Sequence, residues 1–255
     1  MECFGFSRAG SAGRALIAVC LATALPAGLA RAQEKAQADG PGAVSFKFTP
    51  SWYRSSDASN AWDLNLRGSL AEHTAWVGYY HDSSGYGQTR AGYENRIEAG
   101  AARVTLSGQL ASGGFAGGSV SAEVGGENYA IVGFGRTNLR DYYNLNFDPN
   151  DAITLGVGSH AFADTELTLF HLWDDRLGTR QRVTHAVLRR RMPGEQRLTV
   201  DVSHKSGLTP DENFVRGNAL ALTYDYRNWF ARIARDQYVN FSNTHQTRFS
   251  LGMRF

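Results

Sequence analysis

The stretch Thr244-His-Gln-Thr-Arg-Phe-Ser-Leu-Gly-Met-Arg-Phe255 decides how the rest of the chain is read. At a period of two it sets His245, Thr247, Phe249, Leu251, Met253 and Phe255 on one face. Thr244, Gln246, Arg248, Ser250, Gly252 and Arg254 fall on the other. In water, an apolar wall of this kind needs a second layer of protein to cover it. In a bilayer, lipid covers it, and the polar wall can line a lumen.

The alternation recurs upstream. Trp62, Leu64, Leu66, Gly68 and Leu70 alternate with Asp63, Asn65, Arg67 and Ser69. Ala91, Tyr93, Asn95 and Ile97 oppose Arg90, Glu94, Arg96 and Glu98, and Leu198, Val200 and Val202 oppose Arg197, Thr199, Asp201 and Ser203. Charges placed opposite apolar residues make the dyad pattern of a polar-lined barrel. With the terminal strand that ends on Phe255, this pattern resembles the Gram-negative outer-membrane β-barrels, whose C-terminal aromatic signature is read by the barrel-insertion machinery. The resemblance implies an all-β, antiparallel, transmembrane up-and-down meander barrel in the cell outer membrane. Its implied partners are outer-membrane lipids and that machinery, engaged through the C-terminal strand. A soluble periplasmic β-sandwich shares the alternation, but its apolar faces would have to meet each other.

Strands are predicted at about 43–53, 61–70, 74–82, 89–98, 101–110, 118–124, 128–136, 151–161, 165–173, 180–191, 196–205, 215–226, 229–237 and 244–255. Glycine pairs blur the period around 118–124 and 128–136, so twelve strands is the alternative to fourteen. Short connections at 71–73, 99–100, 125–127, 162–164, 192–195 and 227–228 alternate with longer ones, of which 137–150 is the longest. Short periplasmic turns and longer external loops are the asymmetry expected of bacterial barrels. Trp52, Tyr53, Trp173 and Tyr238 then sit near external ends, and Trp229, Phe230 and Phe255 near periplasmic ends; Trp52, Trp173, Trp229 and Phe255 are the expected membrane-interface residues.

The N-terminal residues agree with this address. Arg8 and Arg14 precede the apolar run from Ala15 to Leu25, and Ala30-Arg31-Ala32 fits a small-x-small cleavage site, so 1–32 reads as a signal peptide. Residues 33–42 read as a flexible tail and 43–255 as the barrel. Cys3 and Cys20 both leave with the signal, and Val19 speaks against a lipoprotein reading of Cys20. Arg8, Arg14, Arg31 and Glu2 leave as well, so 26 basic and 24 acidic residues fall to 23 of each. A balanced chain gives no electrostatic case for nucleic acid. After the signal, no apolar run is long enough for a transmembrane helix.

The polar faces carry the candidate chemistry. From residue 43 onward Lys47 and Lys205 are the only lysines, and arginine supplies the remaining positive charge, much of it beside carboxylates. Arginine stays charged and makes forked bonds to carboxylates, which suits a lumen. The predicted pore-lining residues are Asp63, Arg67, Arg90, Glu94, Arg96, Glu98, Arg103, Arg182, Asp201 and Arg248, with Arg180, Arg235 and Arg254 extending the set. They can form an ion-pair network that stiffens the barrel, an anion-attracting pore, or both. Arg189-Arg190-Arg191 reads as a cationic anchor at the periplasmic headgroups.

A rival reading is enzymatic. His81-Asp82-Ser83-Ser84-Gly85 with Asn95 resembles the His-x-Ser-x-Gly pattern and distant Asn of outer-membrane phospholipase A, and lipid A deacylases use a similar His-x-Ser. The resemblance implies Ser83 as nucleophile, His81 as base and Asn95 as the group orienting the imidazole. A compact hairpin pairs His81 with Ala91 and Asn95 with Val77, which sets Asn95 roughly 13 Å from the level of His81. An omptin-like protease fails earlier, because Asp174 and Asp175 are adjacent and Asp201 and His204 have opposite parity. The histidines show no ligand-like spacing, so neither metal nor cofactor is expected. The leading expectation is a monomeric, narrow passive channel for small hydrophilic solutes, anions among them; the alternative is a lipid ester hydrolase using His81, Ser83 and Asn95.

Overall fold

The computed structural model describes residues 43–143 and 148–255. The predicted signal and tail, 1–42, lie outside the described residues. Fourteen strands form: β1 (Ser45–Ser55), β2 (Asn60–Leu70), β3 (His73–Asp82), β4 (Gly87–Ala99), β5 (Ala102–Ala111), β6 (Phe115–Gly125), β7 (Asn128–Thr137), β8 (Ala152–Phe162), β9 (Thr165–Asp174), β10 (Arg182–Met192), β11 (Gln196–Leu208), β12 (Phe214–Tyr226), β13 (Trp229–Asp236) and β14 (Gln246–Arg254). Each pairs antiparallel with its chain neighbours, and β1 pairs with β14, so no edge strand remains. The twelve-strand alternative falls away: the two glycine-blurred stretches form β6 and β7, paired from Gly117 with Thr137 to Gly125 with Tyr129.

Closure is carried by β14. Lys47 pairs with Arg254 and Trp52 with Phe249. Phe46 N–H donates to Phe255 C=O at 2.7 Å, Phe255 N–H donates back at 3.0 Å, and the two rings stack at 5.7 Å.

Burial is inverted relative to a water-soluble protein. Asp63, Arg90, Glu123, Lys205, Asp236 and Arg254 are buried, whereas Leu110, Val157, Leu169, Ile233 and Leu251 are exposed. On β14, Arg248 is 7% exposed and Leu251 55% exposed. A sheet whose outer face is apolar needs lipid around it, and the buried ions must find partners inside. Outward aromatics mark both rims, with Trp52 at the end bearing the longer loops and Trp229 and Phe255 at the short-turn end. Tyr53 and Phe230 do not belong to these girdles. Both face inward and are buried, because each sits one residue out of phase with its outward neighbour.

Candidate functional site

On a lumen wall of alternating positions, inward side chains two strands apart come within reach across the intervening strand. Asp63 pairs across β3 with Arg90, passing over Gly78, where an added Cβ would lie 3.4 Å from the Arg90 guanidinium. Arg67 reaches Glu94 at 3.3 Å by the same two-strand step. Arg103 bridges Glu98 at 2.9 Å and Glu123 at 2.7 Å. At the short-turn end, Arg189 holds Glu166 at 2.7 Å, and Tyr129 donates to the same carboxylate at 2.9 Å. Arg197 and Arg254 share Asp225. Of these, Glu98, Arg103, Glu123, Tyr129, Glu166 and Arg189 line a vestibule of about 560 Å³ at the short-turn end.

Deeper in, the lumen is narrowed by its own connections. The described residues between β7 and β8, 138–143 and 148–151, fold inward. Tyr142 stacks on Phe115 at 4.3 Å and donates to Gln109 at 3.2 Å. Tyr143 stacks on Tyr80 at 3.6 Å, its N–H donates to Gln88 at 2.8 Å, and its C=O accepts from Arg90 at 3.2 Å. On the far side, Gln246 donates to the Tyr143 hydroxyl at 3.2 Å, while Asp148 contacts His185 of β10 at 2.9 Å. The described residues of this segment, on either side of 144–147, therefore touch the walls formed by β3–β6, β10 and β14 and occupy part of the lumen. Asp151 anchors its return by accepting from Thr137 at 2.6 Å and from Arg176 at 2.6 Å. The β13–β14 connection folds in beside it. Val239 packs with Tyr53, Ala61 and Tyr80, and Phe241 packs with Phe170, Leu172, Val183, Val187 and Val215.

Between these elements lies a small remnant of lumen, about 40 Å³, where Arg232 and Arg248 meet. They are diagonal neighbours on the inward face, since Arg232 pairs with Ser250 and Ala234 with Arg248. The carboxylates that line it are already engaged. Asp148 and Asp201 flank His185 at 2.9 Å each, and Asp236 holds Lys205 at 2.6 Å. Arg232 forms no ion pair among the described residues. Arg232 and Arg248 thus set two guanidinium groups side by side on the β13–β14 wall of the remnant.

Of the sequence-predicted pore residues, Asp63, Arg67, Arg90, Glu94, Arg96, Glu98, Arg103, Asp201 and Arg248 sit on the lumen side. Arg182 does not, and neither does Arg235; both point outward. In β10 the inward set is Val183, His185, Val187 and Arg189, because the lumen there receives the apolar Phe241. Polarity alone thus assigned β10 the wrong parity. The same shift splits the Arg189–Arg191 run: Arg189 is a buried lumen residue and Arg190 faces out. Tyr238 belongs to the inward β13–β14 connection, where its ring meets His245 at 4.9 Å, and not to an aromatic girdle. Sequence reasoning missed the pairing of His185 with Asp148 and Asp201, and it missed Arg232. The apolar and aromatic residues inside two long connections, Tyr142, Tyr143, Val239 and Phe241, were the available signal.

His81, Ser83 and Asn95 are not brought together. The β3–β4 register pairs His81 with Gly87 and His73 with Asn95, so Asn95 lies eight residues below the level of His81, roughly 26 Å at strand rise. This is a tighter hairpin than the sequence suggested, and it takes Asn95 further away. Asn95 bonds His73 at 3.0 Å, Ser83 accepts from the Asn60 N–H at 3.2 Å, and His81 lies against Trp62 and Tyr79. The phospholipase-like constellation is not assembled. Ser83→Ala is accordingly expected to leave ester hydrolysis at the vesicle background, and a serine-dependent rate from the folded barrel would contradict this. Among the described residues no cluster of three metal-ligating side chains occurs.

No protein-family model matches the chain, and no curated protein matches its sequence. Solved structures do resemble it. The outer membrane protein Omp33 of Acinetobacter baumannii superposes with a TM-score of 0.57 at 9% identity, covering 83% of this chain and 98% of that one. A mutant porin of Rh. blastica gives 0.48 at 7% identity over 83% and 100%. The KdgM porin in complex with disordered oligogalacturonate gives 0.45 at 10% identity over 83% and 99%. The likeness to Omp33 is one of fold.

Proposed function

We propose that this chain is an outer-membrane barrel acting as a narrow passive channel for small hydrophilic solutes, with anions favoured at its constriction. The longer-loop end then faces outward and the vestibule faces the periplasm, the usual asymmetry of such barrels. Fourteen strands lie between small barrels filled by side chains and larger porins with open lumens, so a polar interior narrowed by inward segments fits a low-conductance path. The observation that carries the reading is the pair of guanidinium groups, Arg232 and Arg248, set side by side at the small remnant of lumen, with Arg232 in no ion pair among the described residues. A charged ring selects sign and size of a passing solute before its identity.

Reversal potential under a salt gradient tests the selectivity. The wild-type barrel should pass chloride in preference to potassium, and Arg232→Gln should reduce that permeability ratio severalfold without loss of folding. A ratio unchanged by Arg232→Gln, or a cation preference in the wild type, would refute the proposed role of this wall.

A further inference from the structure

The outer wall has a second chemistry besides its apolar band. Among the described residues, no Asp or Glu occupies an outward position on any strand, yet outward arginines cluster toward the longer-loop end: Arg54 on β1, Arg182 on β10, Arg216 on β12 and Arg235 on β13. None of these four forms an ion pair among the described residues. An arginine at a lipid-facing rim with no carboxylate beside it is oriented toward an anion supplied from outside the protein.

Two of the four stand directly over a groove. The register places Leu220, Arg235, Thr247, Arg54 and Asn60 in one cross-strand row over β12, β13, β14, β1 and β2. The next outward row toward the barrel middle is Leu222, Ile233, Phe249, Trp52 and Trp62. That lower row borders a concavity in the outer wall of about 860 Å³, within the size range of ligand pockets. The wall is recessed where Ala231 and Pro50 offer short side chains between Tyr224, Trp52 and Ile233. Arg54 and Arg235 flank Thr247 on either side of β14, so their backbones lie about 10 Å apart, one outward step or about 7 Å above the aromatic row. Arg235 already donates to the Thr247 hydroxyl at 2.7 Å, which holds its guanidinium at the lip of the groove.

We propose that this face binds a phosphorylated acyl lipid of the outer leaflet, its phosphate held between Arg54 and Arg235 and an acyl chain lying in the groove beneath. The inference rests on the outer-membrane reading given above. The arrangement satisfies both halves of such a molecule at the depth where each belongs: cations at the headgroup level and an apolar slot one row deeper. A second barrel pressed against the same wall would fill the slot but would leave the two arginines facing another carboxylate-free surface. The lipid is therefore the better complement.

The test uses the full barrel in detergent, mixed with a bisphosphorylated, multiply acylated glucosamine disaccharide or with the same lipid stripped of phosphate. Native mass spectrometry reads the lipid retained. Wild type should keep the phosphorylated lipid roughly tenfold better than the stripped one, and Arg54→Gln with Arg235→Gln should erase the difference. Ala231→Trp, which fills the groove, should lower retention of both lipids. Channel currents should be unchanged in all these variants, because none of the three positions faces the lumen. Equal retention of the two lipids by wild type, an unaltered preference in the double variant, or a dimer that excludes lipid would overturn the site. Failure of the chain to fractionate with the outer membrane would instead remove the location, so the two failures are separable.

Discussion

Replacing residues 139–150 with a short Gly/Ser linker should raise single-channel conductance severalfold and leave the barrel folded. None of the strand pairings runs through this segment, so closure between β1 and β14 does not depend on it. What does depend on it is the width of the lumen. Tyr142 and Tyr143 span from Phe115 and Gln109 to Tyr80 and Gln246, and Asp148 ties the same segment to His185. Removing them lets water reach Tyr80 and Phe115, so some loss of thermal stability should accompany the gain in current. An excised variant that folds and conducts no better than wild type would show that the narrowing lies elsewhere.

The second large effect concerns the ion pair beneath that segment. Asp63 and Arg90 are each 2% exposed, and Arg90 also donates to the Tyr143 carbonyl. Asp63→Ala leaves a buried guanidinium without its carboxylate and should cost about 3–5 kcal/mol, read as a fall in the urea midpoint of the heat-modifiable folded form. Asp63→Leu combined with Arg90→Met should recover most of this loss, since the penalty comes from the unpaired charge and not from the absence of the pair. The double variant also releases one hold on Tyr143, so its current should be noisier than wild type although its stability is nearly restored. A single variant as stable as wild type would mean that the pair is open to water and carries little energy.

The barrel was legible because lipid outside and ions inside impose a strict period of two, which β14 and β2 display without interruption. Strand number also followed, even through the glycines of β6, because turn signals mark both ends of that strand. The candidate site was legible only in part. Parity assigns a residue to the lumen, but cannot say which strand it reaches: Arg67 meets Glu94 across β3, and Arg90 meets Asp63 where β3 is thin at Gly78. Where apolar residues fill the lumen, the sign of the pattern reverses, and that is why Val183 and Val187 sent Arg182 to the wrong wall. A connection has no period, so nothing in the alternation pattern tells external loops from inward-folding segments. Their contacts join residues far apart in sequence, such as Tyr143 with Gln246, and only the closed fold brings those together.

Single-channel current from the folded wild-type barrel in a planar bilayer bears most directly on the account. Small, discrete openings that favour anions are expected, well below those of the variant lacking 139–150. Heat-modifiable, correctly folded protein that gives no openings at any voltage, while the excised variant conducts, would contradict the channel and leave the inward segment as a plug.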